Sequence, residues 1–113
     1  MNVLETTIAY LASKLDVPVS ADVPMTRPPS FVAVDMPGSS LTLVDESASL
    51  TIQAWGDRLG VEDLAESVCD AMLAMPSEVD SIMSVEVQKS YYPALTGEKS
   101  PRYVISCDVY RAG

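Results

Sequence analysis

Residues 50–56 read Leu-Thr-Ile-Gln-Ala-Trp-Gly, and residues 61–76 read Val-Glu-Asp-Leu-Ala-Glu-Ser-Val-Cys-Asp-Ala-Met-Leu-Ala-Met-Pro. The first stretch alternates, with Leu50, Ile52 and Ala54 on one side and Thr51, Gln53 and Trp55 on the other. That is the period of a half-buried strand over 50–55, closed by Gly56. In the second stretch Val61, Leu64, Ala65, Val68, Met72 and Met75 recur at helical spacing. They predict a helix over 60–75 with Pro76 as its stop. Glu62 and Asp63 fall in its first turn, where acids suit the helix dipole. A strand running straight into an amphipathic helix sets the fold class as mixed α and β.

Upstream, Phe31–Met36 is expected as a strand, and Pro37-Gly-Ser-Ser40 carries turn chemistry. Leu41–Val44 reads as a short strand or part of an extended arm over 41–49. Residues 16–30 hold Pro18, Pro24, Pro28 and Pro29, which forbid a helix. This segment reads as an extended connector with room for a short edge strand around Val17–Ser20. At the start, Asn2 followed by Glu5 resembles a capping box. Leu4, Ile8, Leu11 and Leu15 then place an amphipathic helix over 3–15. Downstream, Ile82–Tyr92 and Arg102–Tyr110 alternate and form a β-hairpin over 82–110, with Pro93–Pro101 as its loop. The expected whole is a single α+β domain spanning 1–113. A mainly antiparallel four-stranded sheet, with short arms or edge strands, carries two helices on one face.

A chain of 113 residues is the size of one domain and can bury its own core. Seven bases stand against 16 acids, for a net charge of −9, which disfavours tight binding to nucleic acid phosphates. Histidine is absent, which removes the commonest general base and transition-metal ligand. Two cysteines, Cys69 and Cys107, are too few for a zinc site and too distant in sequence for a redox pair. Cys107 shares the inward phase of Ile105 and Val109 and Cys69 sits beside the apolar stripe of its helix, so both read as small core hydrophobes. No apolar run is long enough to cross a membrane, and the first twenty or so residues lack the pattern of a secretory signal. No catalytic, cofactor or metal constellation is expected. Asp45-Glu46 is the nearest thing to a carboxylate pair, and it lies on a predicted arm.

Three features are candidates for interaction. Glu62, Glu66 and Asp70 form an acidic row at i, i+4, i+8 on the second helix. Like charges at that spacing repel, so it is either a solvated face or one that meets a basic partner or repels a polyanion, with a metal site the weakest option. Trp55, with Gln53, lies on the sheet face away from the helices, as do Tyr92 and Tyr110. Trp55 is either covered by the 16–30 connector or an interface anchor. The three aromatics together would make an apolar patch that a second copy could cover. Finally, Lys99 lies in the 93–101 loop, which is flanked by Lys89 and Arg102. The loop is either an ordinary hairpin tip or a basic finger that meets acids of a neighbouring subunit.

The order of motifs carries a resemblance. A leucine-striped helix precedes Val-Pro-Val-Ser-Ala-Asp-Val-Pro (17–24) and Arg-Pro-Pro-Ser-Phe-Val-Ala-Val (27–34). Leu-Thr-Ile-Gln-Ala-Trp-Gly (50–56), Leu-Ala-Glu-Ser-Val-Cys-Asp-Ala-Met-Leu-Ala-Met-Pro (64–76) and Pro-Arg-Tyr-Val-Ile-Ser-Cys-Asp-Val (101–109) follow. Over nearly its whole length the chain resembles the tail terminators (minor tail, tail-completion proteins) of long-tailed phages, especially those of actinobacterial hosts. The resemblance implies a structural virion protein without enzymatic activity or cofactor, assembled in the host cytoplasm. It implies a hexameric ring that caps the head-proximal end of the tail tube, stops its polymerisation and joins it to the head-tail connector. DNA would pass through the channel without specific binding. A related neck protein of the same virion, or a monomeric acidic adaptor or inhibitor, is the alternative; a carboxylate-based hydrolase is the remaining one.

Overall fold

The computed structural model describes residues 2–21, 30–41, 45–56, 60–92 and 102–112. Helix α1 runs Val3–Lys14 and begins as expected, with the Asn2 side chain accepting the Glu5 N–H at 2.8 Å. It stops one residue short of the expected boundary, because Leu15 is already extended while its N–H still donates to Leu11 O.

Among the described residues the sheet has five strands, not four, in the order β1-β2-β3-β5-β4. β1 is Val19–Ser20, β2 Phe31–Leu41, β3 Asp45–Trp55, β4 Ile82–Tyr92 and β5 Arg102–Ala112. β1 pairs with β2 in parallel, and the other pairs are antiparallel. The Val32 N–H donates to Pro18 O at 2.9 Å and seats the connector beside β2. Two residues are too few to show alternation, so β1 was visible only as a possible edge.

Two strands are longer than their apolar cores. The Pro37–Ser40 segment is not a turn. β2 passes through it by a register shift between Asp35 and Gly38, a bulge of the kind that tolerates proline in a strand. β3 begins at Asp45, so residues 45–49 are sheet and not an extended arm. The polar run Asp45-Glu-Ser-Ala-Ser49 concealed them, although Ala48 is buried. Positions 42–44 lie outside the described residues, as do 22–29 of the connector. β5 continues to Ala112, two residues past the expected end.

Helix α2 runs Val61–Glu78, so Pro76 does not end it. Proline lacks one N–H, so within a final turn it deletes one backbone bond and leaves the rest standing. The Val79 N–H still closes on Met75 O at 2.8 Å.

Both helices lie on one face. Val3, Leu11, Val32, Val34, Leu50, Ile52, Ala65, Val68, Met72, Met75, Ile105, Cys107 and Val109 share one core beneath them. Tyr10 ties the helices together, its hydroxyl 2.6 Å from both Ala71 O and Glu78 Oε2. Lys14 Nζ reaches Glu78 Oε1 at 2.6 Å. At the far end of this face Glu46 and Arg111, register partners on β3 and β5, form an ion pair at 3.2 Å. Thr7 Oγ1 is the exception in the core, buried with no hydrogen-bond partner.

Candidate functional site

The face of the sheet that the helices leave open divides into two unlike regions. At the end where β3 and β4 finish, Phe31 and Trp55 are register partners whose rings stack 5.7 Å apart at 11°. Arg102, opposite Trp55 on β5, lies with its guanidinium 5.0 Å from the indole centre. The indole Nε1–H donates to Gln53 Oε1 at 3.1 Å. Trp55 is only 4 % exposed, and with Phe31 and Ala33 it makes a second, smaller core. Phe31 and Arg102 lie against Trp55, whereas residues 22–29 of the connector, its other expected cover, lie outside the described residues. Tyr92 takes the register position opposite Arg102.

Tyr110 does not join that group. It lies eight residues along β5 from Arg102, about 27 Å away at roughly 3.4 Å per residue. The three aromatics therefore do not form one apolar patch. Tyr110 stands alone at 36 % exposure beside Ser47 and Ser84, its register neighbours.

Between these ends the open face is polar. Thr51 is flanked by Asp35 and Ser106, and Ser49 by Asp108. Ser49 Oγ donates to Asp108 Oδ1 at 3.1 Å. Glu86 and Asp108 are direct register partners, a like-charge pairing that costs sheet stability. Arg102 is the one base on this face among the described residues. The surface is shallow. Two open hollows of about 320 and 360 Å³ lie along it, the first beside Gly38, Ser49 and Tyr110 and the second beside Glu86, Gln88 and Ser106. Sequence reasoning missed this region because β3 was expected to begin at Leu50. Extending its alternation back to Ser47 and Ser49 would have found it.

On the opposite side, Glu62, Glu66 and Asp70 are all exposed on α2. Glu66 is paired within the chain, with Lys89 Nζ of β4 at 2.5 Å, and Lys89 sits 5.5 Å from the Tyr103 ring centre. Glu66 holds the Lys89 ammonium above its usual pKa by hydrogen bonding. Lys89 is thus committed to α2 of its own chain. Lys99 lies outside the described residues.

Burial pushes the Cys107 thiol up to about 12, and burial also raises Cys69. Neither is a ready nucleophile at neutral pH. Among the described residues no three His, Cys, Asp or Glu side chains converge as metal ligands. No described helix is long and apolar enough to cross a membrane. No protein-family model matches the chain, and no curated protein matches it.

Proposed function

We propose that this chain is a structural subunit of a long-tailed phage. As a tail terminator it forms a ring, expected to be hexameric, that caps the tail tube, halts its growth and receives the head-tail connector. The motif order supports this reading, and so does an architecture of two helices on one sheet face with the other face open. The single observation that carries it is the character of that open face. It is shallow, hydroxyl-lined and acidic through Asp35, Glu86 and Asp108. Phosphates gain no counterion release from such a wall, so DNA would slide past it. The face suits contact and passage better than enclosure of a small substrate.

Sedimentation and negative-stain imaging of the purified protein, alone and with tail-tube protein, test this. Rings are expected on their own or on tube ends. A strict monomer that never joins a tube would contradict the reading. The exposed Glu62 and Asp70 favour the second reading, an acidic adaptor for a basic partner, which would bind that partner as a monomer.

A further inference from the structure

The two edges of the sheet are not equivalent. At one edge β1 covers Val32 and Ala33 of β2, and farther along β2 carries Pro37 and a register shift, features that close an edge to further pairing. At the other edge no described strand pairs with the outer side of β4. From Ser84 to Tyr92 its register with β5 is unbroken and contains neither proline nor glycine.

The surroundings of that edge say what would fit it. Val85 and Val87 are half-buried beneath α2. Leu73 lies one and two helical turns past Cys69 and Glu66, on the flank that Glu66 turns toward Lys89. It is 59 % exposed, and Met83, at the irregularity where β4 begins, is 61 % exposed. The other face of β4 beside that edge is acidic: Glu86 is exposed there with Asp108 as its register partner, and Arg102 is the one base on that face among the described residues.

From this juxtaposition we infer that the β4 edge binds an extended segment of a partner protein, one that alternates apolar and basic residues. The segment adds as a further strand. Its backbone pairs with β4, its apolar side chains pack against Val85, Val87 and Leu73, and its alternate, basic side chains project to the other face, where they meet Glu86. The inference goes beyond the ring reading and stands without it.

The test uses the full chain and a capped heptapeptide, Lys-Val-Thr-Val-Lys-Val-Thr, followed by backbone amide exchange. The peptide is expected to slow exchange at alternate residues between Val85 and Ser90. The Glu86→Lys variant, altered only at an exposed position, is expected to bind about fivefold more weakly. Leu73→Ser is expected to weaken binding while leaving the melting temperature nearly unchanged. A peptide with glutamates in place of lysines is expected not to bind. Three results would overturn the inference: no protection of β4, protection confined to the open sheet face, or the same β4 protection appearing with protein concentration alone. The last would assign the edge to a second copy.

Discussion

The hydroxyl of Tyr10, on the first helix, meets the carboxylate of Glu78 at the end of the second, at 2.6 Å across 68 positions of sequence. The same hydroxyl lies 2.6 Å from Ala71 O. One proton serves two acceptors, and Lys14 holds the carboxylate from its other oxygen. Burial, then the hydrogen bond and charge of Glu78, raise the phenol well above its usual pKa. Tyr10→Phe is therefore expected to cost about 1–2 kcal/mol. A thermal melt should show it as a fall of about 4–8 °C per kcal/mol. An unchanged melt would mean the helices are held by packing alone.

Glu78 gives this contact a pH dependence. Hydrogen bonds from Lys14 and then Tyr10 hold its carboxyl below the usual range. A depressed folded pKa contributes stability that is present above the unfolded value, near about 4.3, and lost as pH falls through the folded one. Wild type should therefore lose stability below about pH 4.3 more steeply than Glu78→Gln. Parallel acid melts of the two proteins would remove Glu78 from the account.

Thr7 Oγ1 is buried without a partner, so its desolvation is not repaid. Thr7→Val keeps the shape and removes the hydroxyl. It should stabilise the protein by about 1 kcal/mol in denaturant titration. A loss of stability would point to a partner for that hydroxyl.

Trp55 is the chain's one tryptophan, which makes its environment directly readable. Stacked on Phe31 and 4 % exposed, it should emit in the blue, resist acrylamide and shift red on unfolding. Phe31→Ala should cost about 3–5 kcal/mol. Emission typical of water in the native protein would contradict the second core.

Glu66→Lys breaks an exposed pair with Lys89, so its folding cost should stay below about 1 kcal/mol. Asp70→Lys should cost less still. On the proposed function both should impair assembly more than they lower the melting temperature. Equal losses of the two would make the acidic row a matter of stability only.

The elements with strong periodicity were legible in the residues. Leu50–Trp55, Val61–Met75 and the two hairpin strands declared their faces, and the Asn2 cap declared its helix. What escaped were segments whose structure depends on distant partners. Val19–Ser20 becomes a strand only because β2 lies beside it, and Asp45–Ser49 only because β2 and β5 flank it. Pro37 and Pro76 read as breaks, yet a register shift and a final helical turn absorb them. For the interaction residues, sequence placed Trp55 on the open face. It could not show that Phe31 and Arg102 bracket it, nor that Lys89 turns to Glu66 in its own chain.

The most direct test of the central proposal is the length of tail tubes. Tube protein polymerising on its initiator should stop growing when this chain is added, with a ring visible at the tube's end. Tubes that lengthen at the same rate with nothing bound at their ends would contradict it.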